Sequence, residues 1–156
     1  MKHYIGISRY IALMNLIKFH LKIIIFLIVS AQANADVQPA DNDKIISLMK
    51  QGVPLIDIRT NSEWQNTGII KNSKMLTFFD KDGKSDVKSW MNKLREMAKK
   101  DQPLIIICRS GRRSGIVSDM LVNEENYSKV YNANSGIMAW INSGLETTKE
   151  GLINEN

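Results

Sequence analysis

Apolar and polar positions fall into blocks along this chain, and the period changes from block to block. Near the start lies a dense apolar run, "IIIFLIVSA" at residues 23–31. "DVQPADND" after it is polar and turn-like. "KIISLMKQ" has helical spacing, with Asp41 or Asp43 as its cap and Gly52 as its stop. "VPLIDI" (53–58) is short, apolar and β-branched, a buried type of strand ending in a charged cluster. "TNSEWQNTG" holds a short helix capped by Asn61 or Ser62 and closed by Gly68. "KMLTFF" reads as a strand and "DKDGKSD" as the turn after it.

The second half repeats the alternation. From Ser85 to Lys100, the positions Val87, Trp90, Met91, Leu94 and Met97 step by three and four, the mark of an amphipathic helix. "PLIIIC" is the most apolar strand of the domain. Arg113 to Asn123 follows as a helix with Ile116, Val117, Met120 and Leu121 predicted to face inward. "SKVYNA" is a last strand and "SGIMAWINSG" a last helix. Trp64, Trp90 and Trp140 read as packing residues on these helices, and Glu124–Glu125 as a solvated helix end. Strands alternating with helices predict an α/β fold, a mainly parallel sheet covered on both faces. The ligand site of such a sheet lies beyond the carboxyl ends of its strands. Cys108 sits there, at the end of the predicted central strand.

The charge balance changes little about the mature domain. The chain carries 21 Lys+Arg against 16 Asp+Glu, a net +5. Residues 1–35 hold Lys2, Arg9, Lys18 and Lys22 with no acid, so the remainder has 21 − 4 = 17 bases against 16 acids, about +1. The basic excess lies in the leader, no basic stripe with interleaved aromatics occurs elsewhere, and a nucleic-acid partner is not indicated. The leader reads as a secretory signal peptide: charge in "KFHLK", a nine-residue apolar run, and small residues at "ANA" for cleavage after Ala35. That run is shorter than the ~20 residues of a spanning helix. The expectation is a periplasmic domain, residues 36–156, with no stable membrane insertion after cleavage. An uncleaved leader anchoring the domain to the inner membrane is the alternative, and Met14 is an alternative start.

Histidine and cysteine narrow the chemistry. Both histidines, His3 and His20, lie in the leader, and Cys108 is the only cysteine. A mature domain without histidine can build no Ser-His-Asp triad and no Cys-His dyad. It offers no ordinary zinc site, and neither a metal nor another cofactor is expected. A single exported cysteine is either an inert buried thiol or a reactive one.

The segment "CRSGRRS", Cys108 to Ser114, favours the second. It feeds a helix amino terminus, whose partial positive charge stabilises an anion. Gly111 lets the backbone curl so that successive N–H groups face one centre. Arg109, Arg112 and Arg113 add permanent charge. The same devices that favour a thiolate would recruit a small dianion.

"LIDIR", "EWQNTGII", "PLIIICRSGRRS" and "SGIMAW", in that order, resemble a single-domain rhodanese, a thiosulfate sulfurtransferase, over about residues 40–145. The resemblance implies a rhodanese-like, five-stranded parallel sheet flanked by helices. It implies Cys108 as the nucleophile that becomes a persulfide. Ser110, Gly111, Arg112 and Arg113 supply loop amides, Arg109 and Arg113 contact the anion, and Arg112 is solvated. Asp57 and Arg59 match the family's Asp-x-Arg and form a structural ion pair near the site, and Ser114 supports the loop. Thiosulfate is the implied donor, with cyanide, a thiol or a protein as acceptor, and no cofactor. The chain departs from the family pattern at Ile69, where many relatives have His, at Asn72-Ser73 in place of Gly-Ala, and at Ser135 in place of Gly. Two other readings stand: a phosphatase or arsenate reductase, whose Cys-x5-Arg loop is one residue longer than Cys108–Arg113, and a persulfide carrier or docking module for a partner protein.

Overall fold

The computed structural model describes Met14, Asn15, Lys18 and residues 36–149. The chain divides into two compact units, Met1–Asn34 and Ala35–Asn156. The leader's apolar run and its cleavage point at Ala35 lie outside the described residues. Among those described, no helix is long and apolar enough to cross a membrane.

Five strands form one sheet: β1 (Val37–Ala40), β2 (Leu55–Asp57), β3 (Lys74–Met75), β4 (Leu104–Ile107) and β5 (Val130–Ala133). Their order is β1-β5-β4-β2-β3, every pairing is parallel, and β4 is central. Five helices connect or follow them: α1 (Asn42–Lys50), α2 (Asn61–Thr67), α3 (Val87–Met97), α4 (Arg112–Asn123) and α5 (Gly136–Asn142). This is the α/β architecture expected from the alternation.

Central β4 is apolar and buried at every position because both of its faces are covered, and the two-residue period divides it between two cores. Leu104, Ile106 and Cys108 join Ile56, Trp90, Met91, Leu94, Val117 and Leu121 on one face. Ile105 and Ile107 join Leu55, Ile45, Leu48, Ile137 and Trp140 on the other. All three tryptophans are buried. Trp90 donates its Nε1–H to the Leu76 carbonyl at 3.0 Å, and its ring stands edge-on to Phe78.

Five local expectations are corrected. "DVQPADND" is not only a turn: Val37–Ala40 pairs in register with Val130–Ala133. Pro39 disguises this strand, since proline is tolerated at a sheet edge where no ladder N–H is needed. "KMLTFF" pairs formally only at Lys74–Met75, although the Leu76 and Phe78 N–H groups still donate to Asp57 and Ile58 carbonyls at 3.0 and 3.2 Å. In α4 the inward stripe is Ser114, Val117, Ser118, Leu121 and Val122, and Ile116 points outward at 52% exposure. Val87, read as part of the buried face of α3, is also exposed. Caps fall on Asp41 for α1, as one of two options, and on Thr60 for α2 instead of Asn61 or Ser62.

Candidate active site

Central β4 delivers Cys108 to the carboxyl edge of the sheet, and α4 begins four residues later at Arg112. The turn between them requires Gly111, whose φ of 88° is left-handed. Its N–H donates to Cys108 Sγ at 3.2 Å. The Ser114 hydroxyl lies 3.3 Å from the same sulfur and 3.1 Å from the Gly111 carbonyl. That carbonyl also accepts the Gly115 N–H at 2.9 Å, and the single proton of the hydroxyl is placed to donate to either the sulfur or this carbonyl. Cys108 itself is only 1% exposed, at the floor of the loop.

A second element locks the loop. The first amides of α5, Ile137 and Met138, donate to the carbonyls of Cys108 and Arg109 at 2.9 and 3.1 Å. The approach is so close that only glycine fits at two positions. A side chain on Gly136 would meet the backbone of Arg109 and Ser110, and one on Gly111 would meet the backbone of Asn134. Ser135-Gly136, the departure from the family's Gly-Gly, thus keeps glycine where contact demands it. Asn72, at the other departure, adopts a φ of 68°, a left-handed turn that asparagine tolerates.

The three arginines differ in their surroundings. Arg113 donates from Nη1 and Nη2 to the two carboxylate oxygens of Glu63, at 2.9 and 2.5 Å. Glu63 also accepts the Thr60 N–H at 3.0 Å, closing a capping box on α2. Burial pushes the Glu63 carboxyl up, but the Arg113 hydrogen bond, the Thr60 N–H and the Arg113 charge outweigh it, and the group lies below its ordinary 4.5. Hydrogen bonding to Glu63 raises the Arg113 pKa against the lowering by burial, and the neighbouring Cys108 acts in the same direction. Arg109 and Arg112 are exposed, and their guanidinium groups make no ion pair among the described residues. The division expected from the resemblance, with Arg113 on the anion and Arg112 in solvent, is therefore less sharp: Arg113 sits beside the sulfur but is held by Glu63, and Arg112 lines the mouth.

Asp57 and Arg59 form the expected ion pair at full burial. Arg59 Nε donates to Asp57 Oδ1 at 2.9 Å, Nη2 to Oδ2 at 2.6 Å, and the remaining contacts go to Thr67 Oγ1 and the Gly68 carbonyl. This pair ties β2 to the end of α2, the helix that carries Glu63. Two cavities flank the loop. One of about 590 Å³ opens over Arg109, Ser110, Arg112 and Ile116. One of about 390 Å³ lies between Thr67, Arg109 and Met138. Glu63 and Arg109 line both. Among the described residues no group of His, Cys, Asp and Glu side chains is arranged to hold a metal ion.

Glu63 received no role from the sequence, although Thr60-x-x-Glu63 carries the spacing of a capping box. The backbone contact through Gly136 has no local signal, because it joins segments 26 residues apart.

The fold that carries this loop is shared with known proteins. Solved structures of similar fold include a rhodanese-like domain protein from Staphylococcus aureus (TM-score 0.53, 24% identity, covering 72% of this chain and 99% of that one). Another is the polysulfide-sulfur transferase homodimer from Wolinella succinogenes (TM-score 0.57, 19% identity, 80% and 88% covered). Among curated proteins, the mitochondrial protein HIGH ARSENIC CONTENT 1 of Arabidopsis thaliana is 27% identical over 115 residues, 73% of this chain and 68% of that protein. The chloroplastic rhodanese-like domain-containing protein 11 of the same plant is also 27% identical, and the match spans only 45% of its length. The rhodanese-like domain profile matches residues 41–143, from the cap of α1 to the end of α5 and through the whole cysteine loop, and the chain belongs to that family.

Proposed function

We propose that this protein is a thiosulfate sulfurtransferase working through a persulfide on Cys108. The observation that carries the reading is the sulfur's setting: Gly111 N–H and the Ser114 hydroxyl on Sγ, in a six-residue loop flanked by the guanidinium groups of Arg109 and Arg112, which make no ion pair among the described residues. These donors can hydrogen-bond the nucleophilic sulfur, and the scheme calls on no general base, which suits a domain whose described residues hold no histidine. Thiosulfate enters with its sulfonate oxygens toward the arginines. The Cys108 thiolate attacks the outer sulfur, the S–S bond of thiosulfate breaks, and sulfite leaves with that electron pair. Cys108 keeps the sulfane sulfur as a persulfide anion. In the second half-reaction an acceptor, cyanide or a thiolate, attacks the outer sulfur and Cys108 departs as thiolate. The scheme is ping-pong.

Intact mass after incubation with thiosulfate tests this. The expected result is a gain of one sulfur, about 32 Da, absent in Cys108→Ser and lost on adding cyanide. No gain overturns the reading.

A second reading draws on the name of the curated relative, HIGH ARSENIC CONTENT 1. Arsenate or phosphate-ester chemistry on Cys108 would need a tetrahedral oxyanion to fit a loop one residue shorter than Cys-x5-Arg. Release of phosphate from an aryl phosphate and thiol-dependent reduction of arsenate, each measured beside sulfur transfer to cyanide, separate the two. The leader's charge and apolar run support export to the periplasm with cleavage after Ala35. The amino-terminal mass of protein recovered from the periplasmic fraction tests that placement.

A further inference from the structure

The mouth of the site has more surface than a small dianion uses. Its cavity of about 590 Å³ is in the range that holds a peptide side chain or a drug-sized ligand. One wall is apolar. Ile116 stands 52% exposed one turn into α4, and Phe79 is half-buried with its ring edge-on to Phe78 at 4.8 Å. Neither residue can serve thiosulfate.

The other wall is cationic on balance: Lys81, Arg109, Arg112 and Arg113 line the cavity against two acids, Glu63 and Asp80. Glu63 holds Arg113. Asp80 Oδ1 accepts the backbone N–H groups of Asp82 and Lys84 at 2.9 and 2.8 Å, shaping the turn. Arg109 and Arg112 face the opening without an anionic partner among the described residues. Cys108 is too buried to meet a bulky thiol directly, whereas the outer sulfur of its persulfide stands about 2 Å further out.

We propose that this face docks an acidic segment of a partner protein whose cysteine is the sulfur acceptor, with a carboxylate between Arg109 and Arg112 and an apolar side chain on Phe79 and Ile116. The proposal rests on the sulfur-transfer reading for its chemistry and on charge and shape for its docking. The partner's thiolate attacks the outer sulfur, the bond between that sulfur and Cys108 Sγ breaks, and Cys108 regains its thiolate. The partner leaves as the persulfide. A nucleic acid would satisfy the arginines but would ignore the apolar wall and bring no cysteine thiol.

The test loads the full chain with thiosulfate, removes the excess and discharges it with three peptides. Each has one central cysteine and two leucines, flanked by glutamate, serine or lysine. Every rate is divided by the same peptide's rate with a small aryl disulfide, which cancels the effect of the flanks on the thiol itself. The glutamate peptide should discharge the persulfide about tenfold faster than the lysine peptide, and Ile116→Glu should cut that rate about fivefold. A fluorescein-labelled glutamate peptide with serine for cysteine should bind the unloaded chain in anisotropy, lose affinity as salt rises, and lose it in Ile116→Glu. Equal rates for all three peptides, a preference for lysine, or binding indifferent to Ile116→Glu each overturn the docking face. Binding that a single-stranded oligonucleotide displaces as well as the unlabelled peptide does overturns it also. A chain that takes up no sulfur sinks the sulfur-transfer reading, and the labelled peptide still decides the docking.

Discussion

Glu63 and Arg113 meet across 50 residues of sequence in a two-pronged ion pair that fastens α2 to the start of α4. The pair holds one guanidinium beside the sulfur and offsets its charge, while Arg109 and Arg112 line the mouth with no ion pair among the described residues. Glu63→Gln keeps the side chain's shape and its ability to accept the Thr60 N–H, so it isolates the charge. The pair is about a quarter exposed, and solvent screening limits its worth to about 1 kcal/mol or less. Thr60→Ala, which removes the cap, should cost about 1 kcal/mol. Urea unfolding of the two variants checks both values. A freed Arg113 guanidinium is no longer held in place, so Glu63→Gln should also raise the KM for thiosulfate.

The same pair has a pH signature. The folded Glu63 carboxyl titrates below its ordinary 4.5. A carboxyl depressed by folding contributes stability above its unfolded pKa and loses that contribution as pH falls through the folded value. The stability gap between the parent protein and Glu63→Gln should be constant near neutrality and close as pH drops below 4.5. Urea midpoints followed from about pH 7 to about pH 3 read this directly. A gap that widens with acid would mean the pair does not hold Glu63 ionised.

Gly136 and Gly144 are both left-handed, with φ of 62° and 73°, but only Gly136 is crowded by backbone. Gly144→Ala meets open space and should cost about 1–2 kcal/mol of strain with turnover unchanged. Gly136→Ala would push a methyl group into the Arg109–Ser110 peptide. It should cost about 2–5 kcal/mol and displace the loop, so that sulfur transfer collapses in the fraction that remains folded. Circular dichroism melts beside thiosulfate:cyanide turnover separate the two effects.

Ser114→Ala removes one of the two donors to Cys108 Sγ and leaves the backbone donor at Gly111. A hydrogen bond to a charged acceptor contributes about 1.5–3 kcal/mol. The rate of persulfide formation should therefore fall about tenfold or more. Ser114→Thr, which retains the hydroxyl, should recover most of the loss. Equal rates in alanine and threonine variants would assign the effect to packing.

What the sequence made legible follows from how local each signal is. "PLIIIC" announces a strand buried on both faces, and the strand–loop–helix grammar around Gly111 places Cys108 at its mouth with no tertiary information. β1 was not legible because Val37–Ala40 has one proline and two exposed positions, and β5 supplies the pairing. Ile116 was misplaced because α4 buries Ser114 and Ser118, and a hydrophobic count passes over serine. Those serines are small enough to let α4 lie close to the sheet, and one of them reaches the sulfur. Glu63 looked like an ordinary first-turn acid. Its role depends on where β2 sends α2, which only the folded sheet decides.

Arg59 makes that placement, and its loss should be the most damaging single change outside the loop. The guanidinium is fully buried and holds Asp57, Thr67 and the Gly68 carbonyl together. Arg59→Met would fill most of the volume but strand the Asp57 carboxylate without its cation. Breaking one partner from a buried pair costs about 3–5 kcal/mol. Replacing both, Asp57→Leu with Arg59→Met, removes the uncompensated charge, and stability should return by at least about 1 kcal/mol relative to Arg59→Met alone. A double-mutant cycle in urea measures this coupling. Turnover should not return with it, because the bonds to Thr67 and Gly68 that fix the end of α2, and with it Glu63 opposite Arg113, are still missing. A double variant recovering both stability and turnover would show that the pair only fills space.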